Sequence, residues 1–105
     1  TYHYYSGHSL DGYLTTLKKT MQKNFPIFIT EWGIGKDTTS TSLELEHAEN
    51  FLAYVNQHGI SWANWSLCNK DEPFSAIRPD VNTLGGWTLD DLTVSGKMVF
   101  EALGN

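Results

Sequence analysis

The chain has 105 residues, of which 40% are hydrophobic and 18% charged, a composition typical of one globular domain. Its formal net charge of −5 argues against a nucleic acid partner, because a phosphate backbone attracts basic surfaces. No apolar run approaches the roughly 20 residues that cross a bilayer, so we expect no membrane partner. The single cysteine, Cys68, can form no disulfide within the chain.

The first predicted unit is a strand followed by a helix. Residues Thr1–Tyr5 are mostly aromatic or β-branched, which favours a strand, and Ser6-Gly7 ends the run. Apolar residues then recur at steps of three and four, which predicts a helix from Leu10 to Lys23 with Ser9 as its N-cap.

The second unit begins with a short apolar run, Pro26–Thr30, which predicts a strand covered on both faces as in parallel sheets. A helix is predicted from Ser42 to His58, because Thr41 and Glu44 have the spacing of a capping box and Gly59 suits a left-handed stop. The apolar face of this helix comprises Leu45, Ala48, Phe51, Leu52 and Val55.

The third unit is a strand over Ile60–Leu67, a long loop from Cys68 to about Val94, and a helix over Gly96–Leu103 with Ser95 as its cap. Apolar residues interleave through the loop, so we expect it to be ordered. Alternation of strands and helices predicts an α/β fold with parallel strands. Three parallel strands cannot close on themselves, and both outer strands keep unpaired edges, so we expect part of a larger sheet.

Polar and aromatic residues stand together at the carboxyl ends of the three predicted strands, where ligands bind in parallel α/β folds. These residues are His3 and Tyr5, then Glu31 and Trp32, then Asn64 and Trp65. Side chains alternate along a strand, so one choice of face directs Tyr5, Glu31 and Trp65 into a common space. By the same alternation Ile29 and Glu31 share a face.

Glu31 directly follows a buried run, and two interpretations of it remain open. A carboxylate at a strand end either turns to solvent or caps a backbone amide, or it serves as a catalytic group. The aromatic content of 13% has two explanations as well, since such rings fill a core or stack on two-faced ligands such as sugars. The flanking Trp32 and the pair of His3 and Tyr5 leave the two interpretations of Glu31 about evenly supported.

Three motifs occur in order along the chain: His3-Tyr4-Tyr5, Ile29-Thr30-Glu31-Trp32-Gly33 and Trp62-Ala63-Asn64-Trp65-Ser66-Leu67. With them the chain resembles glycoside hydrolase family 5, and within it the bacterial endo-β-1,4-glucanases (cellulases). The resemblance continues through Lys70-Asp71-Glu72, Gly85-Gly86-Trp87 and Ser95-Gly96, so it covers essentially the whole chain. It implies a partial (β/α)8 barrel: residues 1–105 would form one partial catalytic domain supplying strands six to eight with their helices.

The resemblance implies that Glu31 is the nucleophile of a retaining hydrolase, which uses two catalytic glutamates. His3 and Tyr5 match residues that support the catalytic pair, and the tyrosine would donate a hydrogen bond to the nucleophile. The second glutamate, the acid/base, lies in an Asn-Glu-Pro motif of the family, and this chain has no such motif. The chain would therefore hold half of a catalytic site and would have little or no activity alone.

Substrate contacts follow from the same resemblance. Trp65 matches the platform under a glucosyl unit, Lys70 and Glu72 match loop residues that hold sugar hydroxyls, and Trp32 fits the same cleft. The substrate would be a β-glucan, and the enzyme would be secreted. No cofactor is implied, and the spacing of histidine and cysteine predicts no metal site.

Two hypotheses about the chain follow. In the first, it is the C-terminal fragment of an endoglucanase, which is favoured because Thr1 lies inside a predicted strand. In the second, it is a non-catalytic partial barrel that binds carbohydrate or associates with another copy of itself. An upstream reading frame that encodes Asn-Glu-Pro would distinguish the first from the second.

Overall fold

A computed structural model describes residues 2–104, and the predicted alternation of parallel strands and helices is confirmed. The elements in chain order are β1 (Tyr2–Tyr5), α1 (Leu10–Met21), β2 (Phe28–Gly33), α2 (Leu45–Gln57), β3 (Ser61–Asn64) and α3 (Val94–Ala102). The strands form one sheet in the order β1-β2-β3, with parallel pairing throughout. Thr1, predicted to begin the first strand, lies outside the described residues.

One face of the sheet is covered by α1 and α2, and the core lies between the sheet and these two helices. Its largest members are aromatic: the ring centroids of Tyr4 and Phe51 are 4.6 Å apart, and those of Trp32 and Phe51 are 5.7 Å apart. Side chains of this size contribute about 1.5–3 kcal/mol each when fully buried. The remaining buried residues of this cluster are Leu17, Ile29, Ile34, Ala48, Leu52, Val55 and Ile60. Four of the five residues predicted for the apolar face of α2 are therefore buried, and Leu45 is not.

The other face of the sheet is open to solvent. Phe28 is 48% exposed, and Thr30, Ser61 and Ala63 are exposed as well. The prediction that the second strand is covered on both faces is therefore wrong for this chain. The helices that follow the strands all pack on one side of a short sheet, as right-handed crossovers require, so within residues 2–104 the opposite side has no cover.

The helix ends agree with the sequence in part. Ser9 caps α1, since its Oγ accepts a hydrogen bond from the backbone N–H of Gly12 at 3.2 Å. Gly59 ends α2 with a φ of 63°, in the left-handed region that glycine favours. The capping box at Thr41 is wrong, because α2 begins three residues later than predicted and Glu44 instead accepts a hydrogen bond from Ser42 Oγ.

The last helix begins two residues earlier than the sequence indicated, at Val94 rather than Gly96. Thr93 is its N-cap, and Thr93 Oγ1 accepts from the backbone N–H of Gly96 at 3.0 Å. Ser95, predicted to be the cap, is buried and donates from Oγ to the carbonyl of Pro73 at 2.5 Å. Ser95 and Thr93 both donate hydrogen bonds to carbonyls of the long loop and so tie the loop to the start of α3. Among residues 2–104, no helix has the length and apolar character needed to cross a bilayer.

Candidate active site

Strand β2 carries one more residue than either neighbour across the same interval. On one side Tyr2 pairs with Ile29 and His3 with Glu31, so the register shifts by one residue at Thr30. On the other side, Ile29 and Trp32 pair with two residues of β3 that are only two positions apart. This irregularity is a β-bulge, a feature that re-aims side chains and is frequent beside active sites.

The bulge separates residues that simple alternation would place together. Ile29 and Trp32 both point into the helix-covered core and are fully buried, whereas Glu31 emerges on the open face with 24% of its side chain exposed. The prediction that Ile29 and Glu31 share a face is therefore wrong. Without the extra residue, strict alternation would put Glu31 and Ile29 on one side and bury the carboxylate among apolar groups.

Three of the predicted site residues meet on this open face. The hydroxyl of Tyr5 donates a hydrogen bond to Oε1 of Glu31. The Nδ1 atom of His3 lies 3.5 Å from Oε2 of the same carboxylate, and about half of the His3 side chain is exposed. Both partners come from β1, two residues apart and hence on one face. Glu31 is thus held by side chains of the neighbouring strand.

Tyr5 is suited to remain a neutral hydrogen-bond donor. Burial raises the pKa of its hydroxyl well above the ordinary value, and the hydrogen bond to Glu31 and the charges of Glu31 and Glu72 raise this pKa further. Each of these causes disfavours a phenolate beside carboxylates. The donor to Glu31 is therefore retained throughout the neutral and mildly alkaline range.

The other predicted substrate residues lie on the segment that follows β3, at the same edge of the sheet as Glu31. The backbone N–H of Trp65 donates to the carbonyl of Trp32 at 2.7 Å, and the Trp65 side chain is 46% exposed. Lys70 is exposed and Glu72 is half-buried, and a turn joins them in which the Glu72 N–H donates to the Lys70 carbonyl at 2.9 Å. An exposed indole and two charged side chains thus lie on the one segment that follows β3.

Trp32 does not join this group. Its side chain is fully buried on the helix-covered side, with ring centroids 5.7 Å from Phe51 and 5.6 Å from Trp62. The expectation that Trp32 lines a substrate cleft is wrong, because adjacent residues of a strand point to opposite faces and Glu31 takes the open one. Its neighbour Asn64 is structural as well, and donates from Nδ2 to the Trp32 carbonyl at 3.1 Å.

One residue of the site was not singled out from the sequence. Phe74 is 4% exposed, and its ring centroid lies 4.8 Å from that of Tyr5. Its only signal was an apolar residue two positions after Glu72, which is equally typical of loop packing. Within the described part of the chain, no group of three or more histidine, cysteine or acidic residues could hold a metal ion.

The geometry can be compared with known proteins. A family model described as "Cellulase (glycosyl hydrolase family 5)" matches residues 1–71. The chain belongs to glycosyl hydrolase family 5. The matched range includes all three residues that meet near the carboxyl ends of β1 and β2, namely His3, Tyr5 and Glu31.

Curated and solved relatives agree with this assignment. An endoglucanase from Clostridium saccharobutylicum is 34% identical over 104 residues, which is 99% of this chain and 23% of that protein. The structure of a family 5 cellulase from an Icelandic hot spring isolate superposes with a TM-score of 0.88 at 28% identity, covering 97% of this chain and 35% of the other. A structure from Cytophaga hutchinsonii has the same TM-score at 32% identity, over 96% and 33% of the two chains.

This family 5 chain therefore spans about a quarter of its curated relatives and about a third of the solved ones. Its fold is part of a (β/α)8 barrel, formed by three β/α units with parallel strands. In such a barrel the helices form the outer layer, and the side chains on the opposite face of each strand point inward. The open face that carries Phe28, Thr30 and Glu31 is the face that a complete barrel encloses.

Proposed function

We propose that the family 5 chain is the part of a retaining endo-β-1,4-glucanase that carries the nucleophile, Glu31. The observation that supports this proposal is the arrangement at the carboxyl end of β2. Tyr5 donates to one oxygen of the Glu31 carboxylate, and His3 lies 3.5 Å from the other. A carboxylate whose two oxygens are each fixed by a neighbouring side chain is suited to attack, because its orientation toward the reacting carbon is set in advance.

The reaction proceeds in two displacements. A carboxylate oxygen of Glu31 bonds to the anomeric carbon while the glycosidic bond breaks, and a second carboxylic acid protonates the departing oxygen. Water then attacks the same carbon, passes a proton to that second group and releases Glu31. The two carboxyl groups must stand ~5–5.5 Å apart for this chemistry. Tyr5 keeps one oxygen of Glu31 in place through both steps.

The second carboxylic acid would come from another part of the barrel, since this chain contains no Asn-Glu-Pro motif. Three features support completion by further strands. Both β1 and β3 have an unpaired edge within residues 2–104, and the face that carries Phe28 is open. An apolar groove of about 450 Å³ also runs between α3 and the loop before it, lined by Leu67, Trp87 and Phe100 among others. The isolated chain would thus be inactive.

The substrate proposed for the complete barrel is a β-1,4-glucan such as cellulose. Trp65 would stack on one face of a glucosyl ring, and Lys70 and Glu72 would bind its hydroxyl groups. A pyranose ring has apolar C–H faces and a polar rim, which matches an exposed indole next to charged side chains. Relatives named endoglucanases support this substrate class, and we propose an extracellular location for the enzyme.

The test uses a complete barrel, made by placing these 105 residues in the matching segment of the Clostridium saccharobutylicum endoglucanase. Glu31→Gln keeps the size of the side chain and removes its charge. We expect the Glu31→Gln barrel to bind a soluble β-glucan and to lose its cleavage. The unsubstituted barrel should release product with its anomeric configuration unchanged.

The matched control is Glu46→Gln, which removes a carboxylate from the exposed first turn of α2 and should leave turnover unchanged. Near-normal turnover in the Glu31→Gln barrel would contradict the assignment of the nucleophile. A folded barrel that cleaves no β-glucan before any substitution would contradict the proposed substrate.

A second candidate is a non-catalytic partial barrel that associates with another copy of itself. The unpaired edges of β1 and β3 favour this alternative, because such edges template pairing with further strands. Sedimentation of the isolated chain tests the need for partner strands, which both hypotheses share. We expect association or poor folding, and a compact monomer that melts cooperatively would argue against any need for partners.

A further inference from the structure

The ring of Tyr5 lies in a slot between the backbone of β2 and the loop that follows β3. A Cβ atom placed on Gly33 would stand 2.8 Å from Cε1 of Tyr5 and 3.1 Å from Cδ1 of Phe74. Real Cβ atoms essentially never approach another atom as closely as 2.8 Å, so glycine at this position leaves the room that the Tyr5 ring occupies. Phe74 packs directly against the Tyr5 ring, with ring centroids 4.8 Å apart and an angle of 60° between the ring planes.

Phe74 is itself held firmly. Its carbonyl accepts a hydrogen bond from the N–H of Ser66 at 3.0 Å, directly after the exposed Trp65. The residues on either side of Phe74 are tied to the start of α3, because the carbonyls of Pro73 and Ser75 accept from the hydroxyls of Ser95 and Thr93, each at 2.5 Å. The wall of the slot is therefore fixed by α3 and by the end of β3.

We propose that Phe74 is a positioning residue, which holds the Tyr5 ring against Gly33 so that its hydroxyl fixes the Glu31 carboxylate for attack. The inference rests on the proposed role of Glu31 and deepens it. It also connects two parts of the site, since Phe74 belongs to the same loop as Lys70 and Glu72. Loss of the Phe74 ring would let Tyr5 turn about its side-chain torsions and would admit water, which competes for the hydroxyl.

The first measurement is the steady-state kinetics of the complete barrel with Phe74→Ala. We expect kcat on a β-glucan to fall about 10-fold, because misplacement of a catalytic group by a fraction of an ångström costs rate. KM should change less than about 2-fold, since Tyr5 and Glu31 contribute to the chemical step rather than to uniform binding. Phe74→Leu, which refills most of the space, should recover the larger part of kcat.

A double-substitution cycle tests whether Phe74 acts through Tyr5. Tyr5→Phe removes the hydroxyl that Phe74 would position. In that background, Phe74→Ala should change kcat by less than about 2-fold, because residues that act as a unit are strongly non-additive. If kcat of the double variant falls by the product of the two single-variant effects, the proposal is overturned. A rise in KM with kcat unchanged would also overturn it and would assign Phe74 to the shape of the sugar-binding loop.

Ile77→Ala is the matched control, because it opens a cavity in the same loop at a residue that is 3% exposed and bridges to Leu92. It should lower thermal stability and leave kcat unchanged. If Phe74→Ala does not fold, Gly33→Ala provides a second test: its added Cβ would stand 2.8 Å from Tyr5 Cε1, should displace that ring and should give the same loss of kcat. Loss of cleavage in Glu31→Gln together with unchanged kcat in Gly33→Ala would reject the positioning role alone.

Discussion

The two faces of the sheet have different tasks, and a single bulge in β2 separates them. The face toward the helices carries Tyr4, Ile29 and Trp32, all nearly or fully buried. The opposite face carries His3 and Glu31, which stay accessible to solvent. Stability therefore comes from one side of the strands and the candidate chemistry from the other. Glu31 and Trp32 are adjacent in the same strand, yet substitution of Trp32 should lower stability and substitution of Glu31 should affect the candidate chemistry.

The largest effect is expected from Trp32→Ala in the complete barrel. Trp32 is fully buried against Phe51 and Trp62, so its removal leaves a large cavity and should cost about 3–5 kcal/mol of unfolding free energy. Thermal or denaturant unfolding measures this loss. A change below about 1 kcal/mol would show that the core tolerates the cavity and would break the contrast between the faces.

Trp65→Ala makes the same change at an exposed tryptophan instead of a buried one. The Trp65 ring is 46% exposed, so the melting temperature should hardly change. KM for a soluble β-glucan should instead rise about 10-fold, which corresponds to about 1.4 kcal/mol of binding. Trp65→Tyr retains an aromatic face and should recover part of the affinity. An unchanged KM, or a loss of stability like that of Trp32→Ala, would remove Trp65 from the proposed platform.

The smallest effect concerns alkaline stability. Burial, and secondarily the charge of Glu44, raise the pKa of the Tyr4 hydroxyl from 10.0 to about 12. The pKa is higher in the folded state, so this contribution to stability is complete below pH 10 and is lost as the pH rises toward 12. Tyr4→Phe should reduce this alkaline loss of unfolding free energy by roughly 1 kcal/mol.

At neutral pH, Tyr4→Phe should be nearly neutral or slightly stabilising. The Tyr4 hydroxyl is buried and has no hydrogen-bond partner among residues 2–104, so its removal relieves an unsatisfied group. Comparison of unfolding free energies at pH 7 and pH 11 checks both expectations. Equal pH dependence with and without the hydroxyl would exclude Tyr4 as a source of the alkaline loss.

The order of elements could be predicted from the sequence because it rests on local patterns. Apolar steps of three and four marked α1 and α2, Ser9 marked the start of α1, and Gly59 marked the end of α2. Each of these signals acts within a few residues along the chain. The motif around Glu31 likewise identified the family, since short-range sequence carried it.

The predictions that were wrong depended on contacts between distant segments. Ser95 is a good capping residue by type, yet it bonds to Pro73, 22 positions earlier, and Thr93 caps α3 instead. Ile29 and Glu31 were assigned to one face by counting residues, and the count is changed by the bulge. A bulge is an extra residue relative to a pairing strand, so periodicity along β2 alone does not reveal it.

The amino-acid sequence by itself determined the kind and order of the elements and placed Glu31 just after the apolar run that forms the first part of β2. Propensity, apolar spacing and capping are local properties, so they are readable residue by residue. Only the tertiary structure decided which face Glu31 and Trp32 take and that Phe74 closes against Tyr5. These contacts join segments tens of residues apart, and they follow from how strands and loops fit together rather than from any one stretch of sequence.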